Sequence, residues 1–409
     1  MLDLAPVKQS DAIEDPRQSF LAGIDDLLPT IRARAGETER LGRVPEDIVQ
    51  RLTDAGVFRA AQPRQWGGLE LDLATFYEGM IRIASACGST GWVASVVGIH
   101  PWQIALFANE AQRDVWATDP DARASSSYAP TGSVRREGDG FHLSGRWHFS
   151  SGVDHCGWAL LGAVVPEDAD GGAEFRTFLV PRRDFAIDQE SWSVTGLGGT
   201  GSKNVVVRGA FVPEHRTHRI VDVYRGTDPG FAVNDRPYYR LPWRLVFATT
   251  IAAPAIGAAA GALDAFIEQN QSRVSAYGGL PVAQNPALHR PLARALTEVD
   301  AARTRMHAIW SDFLARLEAG QTIAYERRVQ CLYEAAHAHM SCTGTVYELM
   351  GVNGGRTMDT HGALQRFFRD LLAMRNHPAA NLEFSASLYA QAKLGVEPPP
   401  FVPTQRFVL

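Results

Sequence analysis

The chain has 409 residues, 45% hydrophobic and 21% charged, with a net charge of -5. That length supports a large core in roughly two or three structural units, and the composition is that of an ordinary soluble globular protein. The balance excludes a global basic field for nucleic acid or an anionic membrane, and four scattered cysteines exclude a disulfide framework, which fits a reducing cytoplasm.

The N-terminus, Met1 to Asp11, is polar and lacks the basic-then-apolar profile of a secretory signal. The first third reads helical: Ile24, Leu27, Leu28 and Ile31 recur at helix spacing, as do Phe76, Met80, Ile83 and Ala84. The most apolar window, Val93 to Phe107, is interrupted by His100, Pro101, Trp102 and Gln103, and no stretch is expected to reach the roughly 20 apolar residues of a membrane span. From Ser125 to Thr217 the character changes to short β-rich runs punctuated by Gly and Pro, with strands expected over Trp158 to Val165, Phe178 to Val180 and Val205 to Val207. A Gly/Asp/Pro-rich loop from Arg225 to Pro237 then leads back to helices over Leu245 to Asn270, Leu292 to Leu317, Ala324 to Met350 and Leu364 to Met374. Helices, strands and helices in separate blocks predict an α+β fold, with expected units at 1–124, 125–225 and 226–409, rather than a doubly wound sheet.

Several clusters invite chemistry and are weighed against plainer roles. Gly196 to Gly201 has the glycines of a phosphate loop, but it continues into Ser202, Lys203 and a strand, where a phosphate cradle opens a helix; it reads as a β-domain loop. Cys331, His337, His339 and Cys342 suggest a metal site. At helical spacing the two cysteines share a face and the histidines point elsewhere, so core packing is expected and no metal. Ser125 to Tyr128 and Trp147 to Gly152 gather hydroxyls and backbone groups as turns do for local reasons, and neither sits in a GxSxG elbow. His100 follows Trp92 by about two helical turns, close to the same face; on spacing alone an aromatic-lined core with one satisfied histidine is the favoured account. Arg273 follows the Ala-rich helix, where the dipole alone favours a cation and where a phosphate is equally well met. After Arg366, Arg369 and Asp370 come Met374, Arg375, Asn376, His377 and Pro378, with no carboxylate.

Seven short stretches in one order carry a resemblance: Gln65-Trp-Gly-Gly68, Cys87-Gly-Ser-Thr-Gly-Trp92, Ser125-Ser-Ser-Tyr-Ala-Pro130, Ser150-Ser-Gly152, Gly196-Leu-Gly-Gly-Thr-Gly-Ser202, Phe211-Val-Pro213 and Arg366-Phe-Phe-Arg-Asp370. The chain, up to His377, resembles the oxygenase components of two-component flavin-dependent aromatic monooxygenases with the acyl-CoA dehydrogenase fold. The nearest members are the secosteroid phenol hydroxylases of steroid degradation and the 4-hydroxyphenylacetate hydroxylases. The resemblance implies an N-terminal helical domain, a middle β-barrel or sandwich and a C-terminal four-helix bundle. It also implies a separate reductase that supplies reduced flavin, FMNH2 first and FADH2 second. With O2 this gives a C4a-hydroperoxide that hydroxylates a phenol ortho to its hydroxyl, the leading substrate being a secosteroid phenol such as 3-hydroxy-9,10-seco-androstatriene-dione. Dehydrogenases of the fold carry a Glu just after the Arg-Asp pair to take the substrate α-proton. Its absence here, with no alternative Glu in Arg240 to Leu245, speaks against a dehydrogenase or oxidase. An N- or S-oxygenase is the other reading, separated from the first by the need for a phenol base.

Site residues follow from the same resemblance. Ser151 matches the serine near flavin N5, His377 the histidine near C4a, His100 the phenol base, and Ser126 a serine beside the substrate hydroxyl. Trp92, Ser126, Ser127, Tyr128, Phe149, Ser150, Ser151, Gly355, Arg356, His377 and Pro378 match flavin-lining positions. Arg273 matches an arginine that reaches a neighbouring subunit's flavin phosphate, which implies a homotetramer. The chain departs from the secosteroid hydroxylases at Gly351 to His361 and in the Pro-rich tail, Gly395 to Leu409; both are expected near the mouth of the site, where they bear on the substrate.

Overall fold

The computed structural model describes residues 15–166, 172–275 and 278–404. Met1 to Asp11, read for a signal, lie outside them, as do Ala276 and Tyr277 of the turn after Arg273 and the last residues of the tail. Six helices open the chain: α1 (Pro16–Ala33), α2 (Ala35–Leu41), α3 (Glu46–Asp54), α4 (Leu73–Ala86), α5 (Gly88–Ile104) and α6 (Asn109–Trp116). Local chemistry starts them where they start. Asp15 caps α1 through the Arg17 N–H with Pro16 at the first position, and Asp72 caps α4 through the Thr75 N–H at 2.9 Å. Helix α5 runs through Pro101 and is buried almost all round, so its polar side chains must find partners inside the protein.

Seven strands follow: β1 (Ala124–Glu137), β2 (Gly140–Ser150), β3 (Trp158–Val165), β4 (Glu174–Pro181), β5 (Ala186–Asp188), β6 (Lys203–Pro213) and β7 (Thr217–Arg219). Their order is β5-β6-β2-β1-β3-β4-β7, so the sheet ends in two edges and does not close. It folds into two layers at β1, whose first half pairs parallel with β3 and whose second half pairs antiparallel with β2. The register shifts between Ser127 and Gly132, where the strand bends. A Cβ on Gly132 would lie 2.3 Å from the Trp147 ring, so only glycine lets that indole cross the bend. Phe141, Leu143, Trp147, Leu161, Phe178 and Val205 fill the space between the layers. The serine run expected at a turn lies inside β1 instead: pairing with β3 overrides the weak strand preference of serine.

The rest is helical: α7 (Ile220–Arg225), α8 (Trp243–Gln271), α9 (Pro286–Glu318), α10 (Tyr325–Asn353), α11 (Ala363–Arg375) and α12 (Leu382–Lys393), with one short 3-10 turn (Pro229–Ala232) inside the loop expected over Arg225 to Pro237 and a second (Pro237–Arg240) at its end. Helix α8 corrects one expectation. It is long and apolar enough to cross a membrane, but 89% of that window is buried inside the protein, as suits a helix that is apolar all round. Cys331 and Cys342 point into the core beside it. The tail returns to the sheet, where Phe401 stacks on Tyr224 at 4.0 Å and the Phe175 N–H donates to the Pro403 carbonyl at 2.8 Å.

Candidate active site

A cavity of about 590 Å³ lies between α5, the start of β1, the end of β2, the 192–202 loop, the N-terminal end of α8 and the end of α11. That size suits a small-molecule site. Of the residues singled out in the sequence, Trp92, His100, Ser126, Ser127, Tyr128, Phe149, Ser151, His377 and Pro378 line it. Ser150 stands behind the wall, where its hydroxyl donates to Ser125 at 3.0 Å. Arg273, Gly355 and Arg356 are not on this wall: Arg273 donates to Asn270 and Asn353 at 3.2 Å, and Gly355 and Arg356 form the 3-10 turn that follows Asn353. Among the described residues, neither the 351–361 turn nor the tail lines the cavity, and the described part of the tail is held on β4 and α7.

Of the three histidines on the wall, His100, His148 and His377, the first and the last are held in opposite tautomers. His100 Nδ1 lies 2.7 Å from the Ala124 carbonyl, which only accepts, so Nδ1 carries the proton and Nε2 keeps its lone pair. Burial pushes its pKa down to about 4, against the smaller upward pull of that carbonyl, so the ring is neutral at pH 7. His377 precedes a 3-10 turn, and its Nδ1 accepts from the Ala379 N–H at 3.2 Å, which leaves the proton of the neutral ring on Nε2. Phe247 stacks on His100 at 6.1 Å and Tyr128 meets it edge-on at 6.5 Å. Tyr128 donates to Gln103, and Trp243 closes this aromatic wall 4.5 Å from Phe247.

The opposite wall is hydroxylic. The Trp92 indole N–H donates to Ser151 Oγ at 3.0 Å, and Ser151 meets Ser202 Oγ at 2.7 Å. The loop carrying Ser202 is held on α11: the Leu197 N–H donates to Asp370 Oδ1 at 2.6 Å, and a Cβ on Gly196 would lie 2.0 Å from the Arg369 carbonyl oxygen. Burial pushes the Asp370 carboxyl up to about 7, and its second oxygen has no partner. Among the described residues, Arg369 is the one lysine or arginine on the cavity wall, and it is committed to Glu39 and to the Thr195 carbonyl at 2.8 Å.

Sequence reasoning missed Trp243, Phe247, Trp192, His148 and Ser202 on this wall. Trp243 and Phe247, four apart at the start of an Ala-rich helix, form an aromatic pair that could have been noticed. Ser202 closed a motif without being given a role.

Comparisons with known proteins agree with this architecture. Profiles described as acyl-CoA dehydrogenase N-terminal domain and C-terminal domain match residues 27–119 and 249–382. The oxygenase subunit HsaA of a flavin-dependent monooxygenase from Rhodococcus jostii is 41% identical over 374 residues, covering 91% of this chain and 97% of the relative. The oxygenase component of p-hydroxyphenylacetate 3-hydroxylase from Acinetobacter baumannii is 33% identical, covering 93% of this chain and 90% of the relative. The crystal structure of 3-HSA hydroxylase from Rhodococcus sp. RHA1 superposes with a TM-score of 0.90 at 39% identity, covering 94% of this chain and 99% of that one. With this identity along most of its length and this shared fold, the chain belongs to the oxygenase subunits of flavin-dependent monooxygenases, built on the acyl-CoA dehydrogenase fold.

Proposed function

We propose that the protein hydroxylates a phenol at the carbon ortho to its hydroxyl, using O2 and reduced flavin delivered by a separate reductase, with a fused-ring secosteroid phenol as the leading substrate. FMN is the first candidate flavin and FAD the second; anaerobic titration with each ranks them. The observation that carries the reading is the pair of histidines of opposite tautomer in one aromatic cavity, one able to take a proton and one holding a proton on Nε2. The residues fit the flavin: the cavity is large enough for a flavin ring system with a phenol beside it, and Ser151 offers an oxygen lone pair on the wall opposite His100. When bound, reduced flavin supplies the activated oxygen that enters the ring.

His100 Nε2 accepts the phenol proton, and the more phenolate character it draws out, the more electron-rich the ortho carbon becomes. Ser126, on the same wall, steadies the substrate hydroxyl. His377 keeps a proton at Nε2 beside the Trp92 ring, 5.7 Å away, and so sets the proton supply on the flavin side. Tyr128, Trp243 and Phe247 keep water from the reacting atoms.

In the same reading the flavin phosphate is met by Arg273 of a neighbouring subunit, with Gly355 and Arg356 beside it, in a homotetramer. Three observations support this. Arg369 is already committed, Arg273 stands about 40 Å along α8 from Phe247, and Tyr347 and Met358 near the Arg273 cluster are 67% and 73% exposed.

The test is a panel of phenols, amines and thioethers turned over with reduced FMN and O2, with products identified by mass spectrometry. Ortho-hydroxylated phenol is expected, falling about 10²–10⁴-fold in His100→Ala. Oxidised amine or sulfur products with no phenol turnover would select the N- or S-oxygenase reading.

A further inference from the structure

Behind Ser151 lies a run of hydroxyls whose proton directions are fixed by counting. Trp92 Nε1 donates to Ser151 Oγ at 3.0 Å; Ser151 Oγ meets Ser202 Oγ at 2.7 Å; Ser202 Oγ meets Thr200 Oγ1 at 2.7 Å; and Thr200 Oγ1 lies 2.8 Å from the Leu197 carbonyl. The indole only donates and the carbonyl only accepts, and each hydroxyl has one proton. Thr200 must give its proton to Leu197, Ser202 gives its own to Thr200, and Ser151 gives its own to Ser202. The chain therefore runs one way, from Trp92 to Leu197. Ser151 has no proton left for the cavity, only the lone pair that Trp92 does not use.

The backbone holds this order in place. Thr200 and Ser202 are 1% and 5% exposed, so water does not offer them other partners. The Gly152 N–H donates to the Thr200 carbonyl at 2.9 Å, Ser150 pairs with Lys203 in the sheet, and Lys203 Nζ reaches Asp154 at 2.7 Å. The segments bearing Ser151 and Ser202 are thus stitched on both sides of the contact.

We propose that Ser202 and Thr200 are positioning residues that make the cavity wall an acceptor at Ser151, and that this sets a preference for reduced over oxidised flavin. The inference rests on the reading that the cavity holds flavin with N5 towards Ser151. Reduced flavin carries a proton on N5 and can donate to the Ser151 lone pair. Oxidised flavin presents a bare N5 lone pair, which meets another lone pair and finds no donor. Removing the Ser202 hydroxyl releases the Ser151 proton, which can then turn into the cavity and serve the oxidised form.

The experiment measures dissociation constants of reduced and oxidised FMN under anaerobic conditions, together with the midpoint potential of bound FMN, for the wild type, Ser202→Ala, Ser202→Thr and Thr200→Val. Ser202→Ala is expected to lower the ratio of oxidised to reduced dissociation constants about tenfold, equivalent to a fall of about 30 mV in the midpoint potential of the two-electron couple. Ser202→Thr keeps the hydroxyl and should restore the wild-type ratio, whereas Thr200→Val should lower it in the same direction and serves if Ser202→Ala does not fold. Equal weakening of both redox forms, with the ratio unchanged, overturns the inference and leaves a merely structural role. Failure of the underlying reading has a different signature: Ser151→Ala then changes neither binding constant.

Discussion

Helix α8 ends in two different worlds. At its N-terminal end Trp243 and Phe247 close an aromatic chamber around His100, which is buried and holds the Ala124 carbonyl through Nδ1. At its C-terminal end Asn270 and Arg273 meet Asn353 beside a glycine turn, and Arg273 is only partly buried. A low-dielectric chamber is suited to fixing proton positions, and a half-exposed guanidinium is suited to an anion arriving from outside. The contrast teaches that one helix carries two unlike environments about 40 Å apart, and the proposed flavin contact of Arg273 therefore falls to a neighbouring chain.

The dryness of the chamber can be broken by acid. His100 is held down to about 4, and the buried His339 on α10 down to about 3, mainly by desolvation. Both lie below the roughly 6.5 of an exposed histidine, so the unfolded chain takes up protons first as pH falls. The stability these two groups contribute above about pH 6.5 is lost progressively towards pH 4, by about 2–4 kcal/mol for each histidine, in urea unfolding followed across that window. Asp370 contributes the opposite slope over this window, so the histidine effect is read in Asp370→Asn, where a flat profile between pH 7 and pH 4.5 would contradict the buried histidines.

At the open end, Arg273→Ala should weaken reduced FMN about 10–100-fold, the scale of a lost charge-assisted contact, and leave unfolding nearly unchanged. Anaerobic titration measures this, and a change under about twofold removes Arg273 from flavin binding. Asp370 gives a third, similar or smaller effect near the chamber floor. Its carboxyl is raised to about 7, so the folded state resists ionising; stability is complete below about pH 4 and is lost as pH rises through 7. Asp370→Asn keeps an acceptor for the Leu197 N–H and should gain about 1–3 kcal/mol over the wild type at pH 8 but little at pH 5. An equal change at both pH values would mean that ionisation is not the cause. The smallest effect is expected for Tyr128→Phe, which loses the bond to Gln103 for about 1 kcal/mol while keeping the ring against Trp243. A larger loss, seen by thermal unfolding, would mean that the hydroxyl and not the ring holds the wall.

Periodicity and turn chemistry made the order of helices, strands and helices legible. Trp158 to Val165 was read with its observed bounds because a buried strand shows as a continuous apolar run. Helix α12 was missed because its alternating small, polar and aromatic residues bury only Ser385 and Leu388 and give no strong stripe. The serines of β1 looked like loop because pairing with β3, distant in sequence, decides their state. At the site, Trp92 and His100 share a helix and could be paired by spacing, but nothing in spacing joins them to Ser151 or His377; the resemblance did that. Ser202 went unassigned because its part depends on which way a neighbouring proton points. The long apolar helix was underestimated because Ala and Gly carry α8 in place of larger hydrophobic residues.

The distance between Arg273 and its own chamber has a genetic consequence. A chain crippled by His100→Ala keeps a sound arginine for its neighbour, and a chain crippled by Arg273→Ala keeps a sound chamber. On the proposed cross-subunit role of Arg273, co-expressing the two defective alleles is expected to rebuild some intact sites in a mixed assembly, each chain lending what the other lacks.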